Sequence, residues 1–319
     1  MVEKLVLFAF AMFLTVLYVW ALGIVLGVVW QWIRRGPRPP IGRGRRFVRR
    51  VVLSGAAVGV ACIAYAHWIE PYWLEQTHVV VATAKLPHGA QPIRIVHITD
   101  THCDTVARLE SRLADDIAAL KPDLIVFTGD AVNREGDVEI FRRLAGRLVA
   151  VAPTFAVRGN WDWRRGDRPD IFDGTGMREL CGEAVEFTVR GQSIWLIGGY
   201  VGYHYAPDRY WPAIEQAIDS VPDGAFRLLL YHYPWRVLEA AGKVDLMLSG
   251  HTHGGQVALP FYGALTTLSL TGKRFEKGLY AVDGTEMYVS RGVGTEGDPV
   301  PRVRFLARPE LTLVEIVPK

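Results

Sequence analysis

From Leu5 to Trp32 the chain carries no charged side chain, and that run limits its architecture more than any other feature. About 20 helical residues cross a bilayer core, where every backbone N–H and C=O has to find a partner inside the protein. A second uncharged run, Val51 to Ile69, has close to the same length, and within it stand Gly55, Ala57, Gly59 and Ala61. Small residues of this kind let two helices approach closely. A cleaved signal peptide fits poorly, because the first run is too long for a signal core and shows no convincing small-x-small cleavage site. Core helices of soluble proteins rarely come as such a tandem pair. The expectation is a transmembrane helical hairpin over residues 1–70, joined by an Arg-rich loop, and a globular domain over residues 71–319.

Charge sets the expected orientation. Arg34, Arg35, Arg38, Arg43, Arg45, Arg46, Arg49 and Arg50 separate the two runs, against only Glu3 and Lys4 at the N-terminus. By the positive-inside rule the Arg segment stays cytoplasmic, next to anionic headgroups, and everything after Ile69 faces the extracytoplasmic side of the inner membrane. Trp68, Tyr72 and Trp73 follow, where an interfacial aromatic belt would sit. Nine of the 36 Lys and Arg and one of the 33 Asp and Glu precede Trp68, leaving 27 against 32 in the remainder, a net −5. The excess positive charge therefore belongs to the Arg segment, and a mildly acidic domain offers no basis for binding nucleic acid. Of three cysteines, Cys62 falls in the second run, which leaves Cys103 and Cys181 with no metal-type spacing and excludes a disulfide scaffold or zinc ribbon.

From about Gln76 the pattern alternates short β-rich runs with helical stretches. Expected strands are HVVVATAKL, IRIVHIT, LIVFTG, TFAVRG, SIWLIGGY, FRLLLYH, DLMLSG, GLYAVDG, EMYVSRG and LTLVEIV. Leu109, Leu113, Ile117 and Leu120 recur at helical spacing, which predicts an amphipathic helix over Thr105–Leu120. The charged stretch from Trp163 to Asp173 reads as a surface loop. Open α/β sheets place their sites at strand ends, and here five strands end in polar residues. IRIVHIT runs into Asp100 and His102, LIVFT into Asp130, TFAVR into Asn160 and Asp162, FRLLLY into His232, and DLMLS into His251 and His253. Carboxylates, imidazoles and an amide oxygen from separate strands, next to glycines that let the backbone turn sharply, make a donor set for divalent cations. Any one of these motifs alone is more often a turn, a cap or a surface pair. Their joint occurrence is what carries the reading.

The residues Asp100 to His102, Gly129 to Asp130, Gly159 to Asp162, GHTHGGQVALP from Gly250, GLY from Gly278, YVSRGVG from Tyr288 and RPE from Arg308 resemble the calcineurin-like metallophosphoesterase superfamily, in its membrane-anchored YkuE- and YaeI-like branch. The resemblance spans roughly His78 to Val317. It implies a four-layer α-β-β-α sandwich with two divalent metal ions at its rim, Mn by default and Fe, Zn or Co as alternatives. By matching position, Asp100, His102 and His253 would hold the first metal, and Asn160, His232 and His251 the second. Asp130 would bridge both, and Asp130, Asn160 and His251 would be the residues closest to catalysis. Two cations about 3.5–4 Å apart can share a hydroxide that attacks phosphorus in line.

Most relatives carry His where this chain has Trp161. An indole N–H is only a weak acid, so a general acid is lost there, typically worth about 10²–10⁴ in rate when the leaving group is poor. Stable leaving groups lose little, which points to pyrophosphates or activated diesters. Trp161 and Trp163 could alternatively pack beneath the metal loop, or contact substrate by stacking on a nucleobase or lying on acyl chains at the membrane surface. His204 could replace the missing acid, Arg158, Arg164 and Arg165 could bind substrate phosphate, Asp162 could support the metal loop, and Cys103 is a packed thiol. The expected substrate is a phosphorylated small molecule or a lipid-linked one. One alternative is a pyrophosphatase acting on UDP-2,3-diacylglucosamine in lipid A biosynthesis, whose cytoplasmic substrate conflicts with the expected topology. Another, from a different class, is a catalytically weak membrane sensor or scaffold.

Overall fold

The computed structural model describes residues 2–35, 40–163, 170–199, 210–297 and 302–319. They form two compact units, Met1–Ile69 and Glu70–Lys319. The first contains α1 (Val2–Ile33) and α2 (Arg43–Trp68), both long and apolar enough to cross a membrane. α2 begins eight residues before the second uncharged run, so Arg43, Arg45, Arg46, Arg49 and Arg50 are helical rather than part of a connecting loop. Arginine is a good helix former, and the Arg46 guanidinium donates back to the Ile41 carbonyl at 3.0 Å. The two helices bury Ala21 and Ile24 against Val52 and Ala56. Gly59 belongs to this seam, since a Cβ there would lie 2.3 Å from the Tyr18 hydroxyl. Ala57 and Ala61, expected at the same contact, point outward instead.

The second unit is built on two six-stranded sheets. The first has the order β1 (Glu75–Thr83), β14 (Glu310–Pro318), β2 (Ile93–Ile98), β3 (Leu124–Phe127), β4 (Thr154–Ala156), β5 (Arg178–Glu179). The second runs β12 (Gly278–Val282), β13 (Thr285–Val289), β9 (Leu246–Ser249), β8 (Phe226–Leu230), β7 (Gln192–Gly198), β6 (Glu183–Val189). A two-stranded hairpin, β10 (Ala258–Leu259) with β11 (Gly263–Ala264), stands apart from both.

Period-two alternation explains the layers. Ile93, Ile95, Leu124, Val126, Leu228, Leu230, Leu246 and Leu248 point into one shared core between the sheets. Their neighbours Val96, Ile98, Ile125 and Phe127 pack on the outer side with α3 (Glu110–Ala119) and α4 (Val138–Val149). On the second sheet Ile197, Leu229, Met247 and Val289 pack under α5 (Trp211–Asp219) and α6 (Val237–Ala240). The result is the four-layer α-β-β-α sandwich, and strands buried on both faces are continuous apolar runs for that reason.

Helix α3 starts five residues later than its periodicity predicts. The Asp104 carboxylate accepts the Val106 amide at 2.7 Å and Glu110 accepts those of Arg108 and Leu109, so residues 105–109 form turns instead. Of the expected surface loop, residues 164–169 lie outside the described residues, and Asp170–Asp173 form a turn. Strand β6, with its amphipathic EAVEFTV, belongs to the second sheet although none of the expected strands covers it.

Candidate metal centre

Parallel strands β2, β3 and β4 of one sheet and β7, β8 and β9 of the other bring their C-terminal ends to one rim. The chain leaves each strand through a sharp turn. Asp100, His102, Asp130, His251 and His253 all have positive φ, between 40° and 73°, a region that non-glycine residues visit rarely and at a cost of about 1–3 kcal/mol. Backbone bonds between strand ends hold them there: the Asp100 amide donates to Gly129 at 2.8 Å, that of His102 to Asp130 at 3.0 Å, and that of Gly294 to Asp100 at 2.7 Å. The crowding is close enough that Gly159 admits no side chain, since a Cβ there would lie 2.2 Å from Asp130 Oδ1.

The seven residues expected at the site converge. Asp100, His102 and His253 form one group and Asp130, His232 and His251 another, each with its donor atoms within 4.8 Å of one another. His102 Nε2 lies 3.1 Å from His253 Nε2 and 3.7 Å from Asp130 Oδ2, while His253 Nε2 lies 3.3 Å from Asp100 Oδ1. His232 Nε2 lies 3.2 Å from Asp130 Oδ2 and 3.0 Å from Asn160 Oδ1. Asp130 thus sits between the groups, next to His102 and His232 at once.

The electrostatics follow from burial. It pushes the Asp100 carboxyl up to about 7. Burial would raise Asp130 too, but His232 and His102 and the Trp161 amide, 2.8 Å from Oδ1, outweigh it and hold the group at about 2. His232 goes the other way: burial opposes its charge, yet Asp130 and Asp100 raise it to about 9. Burial lowers His102 to about 4 and His251 to about 3, and takes His253 well below its usual value with help from His102 and Arg304.

Several side chains hold this constellation. Asp162 Oδ2 accepts the amides of Asp130 at 2.9 Å and Gly159 at 2.7 Å, and its Oδ1 accepts that of Ala131 at 2.9 Å, tying the β3 and β4 turns together. Burial and the Asp130 charge push its own acid up to about 6 against those three donors. His232 Nδ1 is 2.8 Å from the Thr128 carbonyl, which fixes the ring with Nε2 facing the site. Two supporting residues have no local sequence signal. Asn133 donates to the carbonyls of His102 at 2.9 Å and Thr295 at 3.2 Å. Arg304, fully buried, donates to the carbonyls of Gly294, Ala307 and Arg291 and approaches His253 Nδ1 at 3.3 Å. Only contacts between distant segments reveal them.

Other expected site residues are placed differently. Arg158 does not turn toward the site: its guanidinium is committed to Glu179 at 2.6 Å and Asp170 at 2.8 Å, a pairing that satisfies it away from any substrate phosphate. The Trp161 ring is buried, T-shaped against His102 with ring centroids 5.4 Å apart and with its indole N–H on Glu296 at 3.1 Å, so no open face remains for a nucleobase. Arg164, Arg165 and His204 lie outside the described residues. Cys103 is fully buried in the core, and burial raises its thiol.

Whether the residues suit cations is tested by one atom. His251 Nε2 is buried and has no hydrogen-bond partner among the described residues, a state that costs about 1–3 kcal/mol. A metal ion on that lone pair would remove the cost, and mixed imidazole, carboxylate and amide donors suit a divalent transition metal.

The profile of the family described as calcineurin-like phosphoesterase matches residues 93–255. The uncharacterized metallophosphoesterase YkuE of Bacillus subtilis is 33% identical over 272 residues, covering 82% of this chain and 91% of its own. Phosphodiesterase YaeI of Escherichia coli is 31% identical over 283 residues, 84% of this chain and 99% of that protein. A transmembrane protein with metallophosphoesterase domain from Danio rerio is 28% identical over 251 residues, 73% of this chain and 55% of that protein.

Proposed function

The chain belongs to the calcineurin-like phosphoesterase family, and on that premise we propose that it is a membrane-anchored, binuclear-metal phosphoesterase that hydrolyses phosphodiester or pyrophosphate bonds. The family makes it a metal-dependent phosphohydrolase. The observation that carries the finer reading is the convergence of two donor groups around Asp130, with His251 Nε2 left for a cation. Asp100, His102 and His253 would hold one ion, Asn160, His232 and His251 the other, with Asp130 shared. When bound, such a pair supplies charge neutralisation on the phosphoryl oxygens and lowers the pKa of a water. The protein's part is to keep these donors fixed. Asp162 clamps the turns that carry Asp130 and Asn160, and Thr128 orients His232.

Trp161 decides the kind of ester. Its indole N–H is occupied by Glu296, and it supplies no acid for the departing oxygen. Without such an acid, leaving groups that are already stable anions depart best, which favours aryl or activated diesters and pyrophosphates. Two long apolar helices in the same chain favour a substrate that is lipid-linked or close to a bilayer.

The test is hydrolysis by the full chain in detergent with Mn, Fe or Zn supplied. An aryl phosphodiester and a nucleotide pyrophosphate should be turned over at least about 10²-fold more efficiently than an alkyl phosphomonoester, and Asp130→Asn should abolish turnover while the circular dichroism spectrum stays unchanged. Equal efficiency on all three would sink the leaving-group reading. Absence of turnover on every ester with every metal would favour a scaffold that has kept the fold.

A further inference from the structure

Several large apolar side chains of the second unit are exposed. Phe261, at the tip of the β10–β11 hairpin, is fully exposed, Leu268 and Leu270 are exposed at 60% and 64%, and Trp73 and Leu306 at 52% and 44%. Three of these, Phe261, Leu268 and Leu306, also have positive φ, at 65°, 52° and 55°. For bulky residues that conformation is strained, so the fold holds three apolar side chains outward at a local cost.

These residues share one stretch of surface. The chain enters the unit at Glu70, whose carboxylate accepts the amides of Leu306 at 2.9 Å and Ala307 at 2.6 Å. Arg308 donates to the Trp73 carbonyl at 3.2 Å and lays its guanidinium over the Trp73 ring at 4.2 Å. Phe305 bridges to Val257 and accepts the Ala258 amide at 2.8 Å, which joins this segment to the hairpin. Lys273 Nζ lies 3.6 Å over the Tyr262 ring, and the Ala264 amide donates to Glu276 at 3.0 Å, which joins the hairpin to the loop after it. Leu268 carries the surface to the metal centre, because its backbone hydrogen-bonds His251 while its side chain faces solvent.

Charge identifies what would cover such a surface. The domain is net acidic, yet the loop brings Lys273, exposed Arg274 and Lys277 together around a single acid, Glu276, which accepts the Ala264 amide and pairs with both lysines, leaving a net positive loop. Apolar tips flanked by Lys and Arg match the layering of an anionic bilayer, with acyl chains beneath negative headgroups. Moreover, the unit follows in sequence the second of two helices long and apolar enough to cross a membrane.

We propose that the surface formed by Trp73, Leu306, Phe261, Leu268 and Leu270 seats on an anionic lipid bilayer, with Phe261 and Leu270 set below the headgroups. The rim that carries His251 then faces the lipid, and a lipid-linked phosphate ester reaches the donors without leaving the membrane plane. This rests on the chain being membrane-anchored and not on its turnover.

Full-length protein in liposomes tests it, with an NBD fluorophore on single accessible cysteines, native Cys103 being fully buried, and doxyl-labelled lipids as quenchers. Three proteins are compared: one labelled at native Cys62 in α2 (with Cys181→Ser), one at Phe261→Cys and one at Thr188→Cys, both of the latter with Cys62→Ala and Cys181→Ser. Thr188 is exposed at the end of β6 beside the N-terminus of β7, remote from the strand ends that form the site. In phosphatidylglycerol liposomes the label at 261 should lose about half its emission, as for a side chain set roughly 5–10 Å into the interface, while that at 188 stays bright. In pure phosphatidylcholine the quenching at 261 should weaken. Quenching at 62 without quenching at 261 overturns the docking. Absence of quenching at 62 overturns the anchoring on which it rests. A label at 261 shielded from water, unquenched by lipid and dependent on protein concentration would mean that a second copy of this chain covers the surface. Equal quenching at 261 in both lipids overturns the anionic assignment.

Discussion

One methyl group at Gly250 should damage the centre, whereas the same methyl at Gly146 should help the protein. At Gly250 a Cβ would stand 2.2 Å from Asp100 Oδ2 and 2.3 Å from Thr99 Oγ1, about 1 Å inside normal contact. Asp100 is fully buried, and Gly292 closes its other side so tightly that a Cβ there would lie 2.6 Å from Asp100 Cβ, leaving the carboxylate no room to retreat. Overpacking of this kind costs about 1–3 kcal/mol, and moving a reacting group by about 1 Å costs about 10² in rate. Gly146 lies on an exposed position of α4 with nothing within 4 Å of a Cβ, so alanine there removes backbone entropy from the unfolded chain and stabilises by about 0.5–1 kcal/mol. The expected result for Gly250→Ala is a kcat lowered about 10²-fold on an aryl phosphodiester, reduced metal content by mass spectrometry and a lower urea midpoint. Gly146→Ala should raise the midpoint and leave kcat unchanged. Wild-type kcat and metal content in Gly250→Ala would refute the claim that this backbone approach positions Asp100.

Three further outcomes are expected. Burial lowers His97 to about 3, and its ring, 2.8 Å from Thr128 Oγ1, is fully buried. The folded value lies below the unfolded 6.5, so the stability is complete above pH 6.5 and is lost as pH falls toward 3. By pH 5 the loss reaches about 2 kcal/mol, which His97→Gln should escape; parallel urea stability against pH for both proteins would contradict this. Stripping metal with a chelator should lower the melting temperature by several degrees, with recovery on adding Mn or Zn, because cations at about 1,000 times Kd stabilise by about 4 kcal/mol; an unchanged melting curve would count against the donor assignment. An alkaline phosphatase reporter fused after Lys319 should be active and a cytoplasmic fluorescent reporter dark, given the Arg excess between the two uncharged runs. The reverse pattern would place the domain with cytoplasmic nucleotide sugars and favour the UDP-linked alternative.

Much of this protein is decided locally and can be read from the chain. Long uncharged runs, apolar strands and the polar residues that end them depend on near neighbours and on periodicity, so α1, most of the sheet strands and the seven residues that converge at the rim are legible in the order of the residues. Local bonding already blurs the picture at element ends. Asp104 and Glu110 capture amides that α3 would otherwise have used, and Arg43 to Arg50 continue a helix where charge suggests a loop.

Tertiary structure alone decided the rest, because it depends on which segments meet across long stretches of chain. No pattern around Arg304 announces a buried guanidinium beside His253, and nothing next to Arg158 shows that Glu179 and Asp170 will claim it. Trp161 can be read as a missing acid but not as a buried ring hydrogen-bonded to Glu296. The same holds for exposed Phe261, Leu268 and Leu306: sequence records apolar residues, and only packing settles which of them the core leaves outside.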